Sequence, residues 1–163
     1  LVSANLAIRR SVIDAVGPFD ELLGPGTSYG GADDTDYLLR VEALPTTLRS
    51  DPAIVVEHTY GHRFGIRGSY RILRAYALGN GALAAKLTLL DDQRGPDWLR
   101  ESFRLATTEH LSQRRPQAIP GSLVRQWLFR RAYRDCLKRH RVEADDGGDN
   151  GIRGVLVLLD GDD

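Results

Sequence analysis

The chain of 163 residues carries 22 basic and 22 acidic side chains and is 42% hydrophobic and 27% charged. That balance excludes a disordered or fibrous chain and suits one domain or part of a larger one. No apolar run approaches the ~20 residues of a membrane-spanning helix, and the lone Cys136 excludes an internal disulfide or a CxxC metal knuckle and points to a reducing compartment.

The zero net charge hides a polarised chain. Residues 1–60 carry four basic and nine acidic groups, 61–142 seventeen and six, and 143–163 one and seven. The basic groups are almost all arginine, with only Lys86 and Lys138 as lysines. Planar guanidinium groups suit phosphates and anionic lipids, although a genome-wide codon preference would produce the same count. The absence of methionine, and an opening Leu1-Val2-Ser3-Ala4-Asn5-Leu6 that reads as the interior of a fold, lead us to expect a fragment.

Leu1 to Ile8 alternates loosely, as a short strand would, and Val12, Ile13 and Val16 share one face of a short helix that Ser11 caps and Gly17-Pro18 ends. From Phe19 to Ala32, five glycines or prolines between Gly24 and Gly31 predict an irregular loop. It leads to Asp33-Asp34-Thr35-Asp36, where Tyr37, Leu38, Val41 and Leu44 mark an amphipathic helix with three aspartates in its first turn. Pro45 is expected to break that helix. Ala53 to Val56 reads as a short buried strand ending at Glu57-His58.

Beyond His62 the pattern turns helical: Tyr70 to Ala77, Ala82 to Leu90, Pro96 to Leu111 and Ser122 to His140, with Gly79-Asn80-Gly81 as a break. In the last of these, Trp127, Arg130, Arg131, Arg134 and Lys138 recur at helical spacing, as on an interfacial helix. The tail from Glu143 to Asp163 is acidic and glycine-rich around one apolar patch, Val155 to Leu159, and is expected to be mobile.

An aspartate cluster at the mouth of a glycine-rich loop has two chemical uses: holding a hard divalent cation, or accepting the proton of an attacking hydroxyl. The same three acids also serve as ordinary helix-start residues. The order of the surrounding motifs is what discriminates. Ser3-Ala4-Asn5, Arg9-Arg10, Gly17-Pro18-Phe19-Asp20-Glu21, Gly30-Gly31, Asp33-Asp34, Asp36, Leu39-Arg40 and His58 together resemble the C-terminal half of family 2 glycosyltransferases over residues 1–63. The segment from Tyr76 to Lys86 is more loosely similar to extensions that follow that domain.

The resemblance implies an α/β fold: part of a GT-A mixed sheet with flanking helices over 1–63, then a basic helical extension over 64–142 and an acidic tail over 143–163. It implies transfer of a sugar from a nucleotide-diphosphate donor to a saccharide or lipid-linked acceptor hydroxyl, with inversion. Asp34 falls at the general base. Asp33 falls at its acidic neighbour, where glutamate is usual. Asn5, Gly30 and Gly31 fall at substrate-facing positions, while Asp36 and Arg40, spaced i, i+4, read as a helix-surface pair holding the loop.

His58 falls at a ligand for a divalent metal, Mg²⁺ or Mn²⁺, although a strand-end histidine without a metal has the same pattern. The metal motif proper and the donor-binding half are expected upstream of Leu1. The literal DxD at Asp34-Thr35-Asp36 follows no strand and is not assigned as that motif. The expected location is the cytoplasm, at the inner face of a membrane, with an anionic membrane surface as a partner and no nucleic acid. An inactive half-domain serving as an interaction or membrane-surface module remains an open alternative.

Overall fold

In a computed structural model, residues 5–49, 51–56, 65–104, 119–143 and 155–158 are described. Helix α1 (Arg10–Val16) follows Arg9, which is extended and makes no side-chain cap, so Ser11 lies inside the helix rather than at its cap. At φ 81° Gly17 turns the chain, and its N–H donates to the Ile13 carbonyl. Helix α2 (Asp33–Glu42) starts from Ala32, held at φ 72°, again with no side-chain cap. The acids of its first turn therefore face free backbone N–H groups, where negative charge is favoured. This helix ends at Glu42, before Pro45.

The 24-residue helix α3 (Ile66–Leu89), about 36 Å long at 1.5 Å per residue, runs unbroken through Gly79-Asn80-Gly81, where the sequence predicts two helices. Each glycine costs a helix about 1 kcal/mol relative to alanine. Close backbone approach offsets this cost. A side chain at 79 would place its first carbon 2.5 Å from the Gly31 carbonyl, and Gly81 lies against the Phe129 carbonyl. From Ala77 to Leu87 the helix is buried on nearly every side, the pattern of a helix at the centre of a core.

Helix α4 (Arg94–Arg104) and helix α5 (Ile119–Arg139) pack against α3. The start of α4 lies two residues before the expected Pro96. Strand β1 (His140–Glu143) continues directly from α5 and pairs antiparallel with β2 (Val155–Leu158), His140 opposite Leu158. The apolar patch of the expected mobile tail is thus a strand. Its partner is the segment that continues α5.

The described residues do not form the expected GT-A mixed sheet. They are helical apart from the β1–β2 ladder, and Ala53 to Val56, expected as a buried strand, has no ladder. Ile54, Val55 and Val56 are 61%, 82% and 51% exposed. The physical reason is where burial is to be had. A central strand needs paired neighbours on both edges, whereas α3 from Ala77 to Leu87 is available for burial on nearly every side, and the 19–32 loop packs on it instead. Leu23, Tyr29 and Ala32 share one core with Ala77, Leu83, Leu128 and Cys136, while Val16, Tyr37 and Val41 form a smaller one.

Candidate functional site

Between the two cores lies a buried lattice of charges. The Lys86 ammonium donates to Asp20 Oδ2 at 2.8 Å and to Asp36 Oδ1 at 2.6 Å, and Arg40 Nε donates to Asp36 Oδ2 at 3.0 Å. All four side chains are almost wholly buried. Arg40 also donates to the carbonyls of Val16 (3.1 Å) and Pro18 (2.9 Å), and Asp20 Oδ1 accepts the Leu22 N–H at 3.0 Å. Two acids and two bases balance, and the Val16 and Pro18 carbonyls and the Leu22 N–H add backbone hydrogen bonds to the set. Such a set holds together only when complete, because removing one member strands another charge in the interior.

This lattice fixes both ends of the glycine-rich loop. Asp20 anchors its start, Asp36 lies just beyond its end, and Lys86 ties both to α3. Within the loop, Gly24 N donates to the Gly31 carbonyl (3.2 Å), and Thr27 Oγ accepts from Tyr29 N (3.2 Å) and Gly30 N (3.0 Å) while donating to the Gly24 carbonyl. Gly24, Gly26 and Gly30 have φ between 74° and 99°, which side chains rarely adopt. Phe19 stacks on buried Tyr37 with centroids 4.2 Å apart, and the Arg40 guanidinium lies over the same ring.

The structure distributes the expected site residues as follows. Asp34 is half-buried in the first turn of α2, where its Oδ1 accepts from Thr35 N (2.8 Å) and Thr35 Oγ (3.3 Å). Its second oxygen, Oδ2, has no donor among the described residues. The Asp33 carboxylate lies against Gly24, where a side chain would place its first carbon 2.9 Å from Asp33 Cγ. Gly31 is buried against Ala75 and Gly79, and Gly30 is partly exposed beside Ala75. The exposed Asn5 donates to the Ile54 carbonyl at 3.0 Å and so ties the first described residues to the 51–56 segment. His58 lies outside the described residues, as does His62.

Two cavities flank α2. One, of about 540 Å³, is lined by residues 6–9, Val12, Leu38, Val41 and residues 45–49. Asp34 lies one helical turn before Leu38, and Asn5 immediately precedes the lining segment. The other, of about 430 Å³, is bounded by Thr35, Leu39, Leu87, Trp98 and the α4 charges.

His58, the metal ligand that the resemblance implies, lies outside the described residues. Among the described residues no three acidic, histidine or cysteine side chains converge, and Asp36 is already committed to Lys86 and Arg40.

A second buried polar group lies where α5 meets β1. Tyr29 Oη is 3.3 Å from His140 Nδ1, which is 3.3 Å from the Cys136 carbonyl, and Cys136 Sγ donates to the Ala82 carbonyl at 3.7 Å. Burial drives the Tyr29 phenol far above its ordinary value and the Cys136 thiol up to about 12. Both stay protonated near neutrality. The group joins the glycine-rich loop to β1 rather than supplying a nucleophile.

Sequence reasoning missed Lys86. Its signal was a single lysine inside the apolar run Ala82 to Leu90, a position that demands a buried acid. Likewise Asp36 and Arg40, read as a helix-surface pair, are interior. No protein-family model, curated protein or solved structure was found to match the chain.

Proposed function

We propose that the protein belongs to an inverting sugar transferase and that Asp34 is its general base. The observation that carries the reading is that Asp34 Oδ2 has no donor among the described residues, at the mouth of a loop whose two ends are locked by buried charge. One carboxylate oxygen is held by Thr35, which fixes orientation, and the other is left to accept a proton. The order of motifs from Asn5 to Arg40 supports the same assignment.

In this reading a saccharide or lipid-linked acceptor occupies the cavity beside Leu38. Its hydroxyl gives a proton to Asp34 Oδ2 as its oxygen bonds to the anomeric carbon. The bond from that carbon to the diphosphate breaks, and the nucleotide diphosphate leaves with the electron pair, inverting the configuration. Asp33 supports the loop through Gly24 rather than taking the proton. A reducing, cytoplasmic setting accords with a buried free thiol, and no helix among the described residues is long and apolar enough to cross a membrane.

The test is transfer from a panel of nucleotide-diphosphate sugars by the full-length protein and by Asp34→Asn. The reading expects turnover to fall by about 10²- to 10⁴-fold with donor affinity unchanged. Equal turnover in the variant removes Asp34 as the base, and no transfer from any donor by the unaltered protein removes the reading.

A further inference from the structure

The cavity beside Leu38, about 540 Å³ in volume, has the size of a small-molecule site. Leu6, Ile8, Val12, Leu38, Val41 and Leu48 give it aliphatic walls. Ile8 and Val12 pack on the smaller core of Val16, Tyr37 and Val41, so that core forms one side of the cavity. Leu48, in contrast, is 39% exposed and leaves hydrocarbon open to water inside the concavity.

The charge in the lining has one sign. Arg9, which precedes α1, and Arg49, beyond the end of α2, reach the same cavity from two separate segments. Neither is ion-paired among the described residues, whereas the neighbouring Arg10 is paired with Asp14. The remaining polar side chains of the lining are the hydroxyls of Thr46 and Thr47, and the lining holds no acid, aromatic ring, asparagine or glutamine.

We propose that this cavity binds a phosphate monoester carried on an aliphatic chain, with Arg9 and Arg49 at the phosphate and the chain against the walls. The argument is complementarity of both kinds within one lining. A phosphate monoester carries about −1.5 to −2 charge near neutrality and so matches two guanidinium groups, and the chain covers the leucine, isoleucine and valine surface. A free saccharide would leave those walls in water and find few polar side chains for its hydroxyls. A nucleotide would bring the phosphate but also a base with no ring in the lining to stack on. Resting on the sugar-transfer reading, the acceptor is then of the lipid-linked kind, its phosphate held at Arg9 and Arg49 and its hydroxyl reaching Asp34, one helical turn before Leu38.

The experiment is calorimetric titration of the protein with octyl phosphate, octyl glucoside and inorganic phosphate, each kept monomeric. Octyl phosphate should bind at least about tenfold more tightly than either of the others, since each of those lacks one of the two complementary parts. Arg9→Gln/Arg49→Gln should weaken octyl phosphate by at least about tenfold with an unchanged melting curve, because both arginines are exposed. Arg71→Gln/Arg74→Gln, which removes the same charge from α3, should bind as the parent does. Absence of octyl phosphate binding, equal binding of all three probes, or equal losses in the two double variants overturns the proposal. No sugar donor enters this titration, so the two readings fail separately. Arginine-dependent binding by a protein that transfers from no donor supports the phosphate site and removes the transfer reading, while transfer without octyl phosphate binding removes this inference alone.

Discussion

The ammonium of Lys86 lies 2.6 Å from the carboxylate of Asp36, fifty residues earlier, with both side chains shut off from solvent. Neither residue makes sense alone. A lysine in the middle of α3 and an aspartate in the first turn of α2 become compatible with burial only in contact, and Asp20 and Arg40 complete the neutral set. The lattice thereby makes α3 part of the architecture of the candidate site.

Lys86→Met should destabilise the protein by about 3–5 kcal/mol, because Asp20 and Asp36 are left competing for one base. Adding Asp20→Asn alone to that variant should recover part of the loss, since Asp36 still pairs with Arg40 and the remaining set is again neutral. Urea unfolding measures both. A single-variant cost under about 1 kcal/mol would show that the charges are not confined as the geometry has them.

Gly79→Ala should cost about 1–3 kcal/mol through overpacking against the Gly31 carbonyl. Gly121→Ala, in the first turn of α5 with open space around it, should be neutral or stabilising by up to about 1 kcal/mol through helix propensity. Thermal melts of the pair separate close approach from propensity, and similar losses in both would refute the packing account of Gly79.

Asp34→Asn and Asp36→Asn should divide cleanly between chemistry and stability. Asp34 is half-buried with one oxygen unengaged by the described residues, so its amide variant should fold within about 1 kcal/mol of the parent. The Asp36 variant removes one charge of the lattice and should lose several times as much, about 3 kcal/mol or more. Comparable melting points for the two variants would contradict this division.

Alkali should destabilise the fold in a way traceable to Cys136. Burial raises its thiol from an ordinary value near 9.0 to about 12, so between these limits the unfolded chain releases a proton that the native chain keeps. The stability associated with the neutral thiol is intact below pH 9 and declines as pH rises toward 12, by up to about 1.4 kcal/mol per pH unit. Tyr29, raised by the same burial, adds to the decline at the alkaline end. Urea midpoints across this range should fall less steeply in Cys136→Ala than in the parent. Parallel slopes would place the effect elsewhere.

Local signals read well where one short segment decides the outcome. Gly17-Pro18 as a helix stop, the glycine-rich loop, and the aspartates opening α2 all follow from backbone preferences that act within a few residues. The Gly79-Asn80-Gly81 break did not follow, because its two glycines answer to the backbones of Gly31 and Phe129, residues far away in the chain. The strand at Val155 to Leu158 escapes local reading for the same kind of reason: a strand exists only with its partner, and the partner, His140–Glu143, begins at a residue whose local pattern is helical.

Of the candidate site, the sequence alone determined its chemistry: carboxylates at 33, 34 and 36 beside a loop of glycines, with an arginine one turn beyond. Only the tertiary structure decided which carboxylate is available. Asp36 faces Lys86 and Arg40 in the interior, while Asp34 keeps one oxygen without a donor among the described residues. The two residues have the same side chain in the same helical turn, so no local propensity distinguishes them. What separates them is the reach of Lys86 from α3, which pairs with Asp36 in the interior and not with Asp34. Burial and charge pairing are properties of contacts between distant segments, and they come into existence only when the chain has folded.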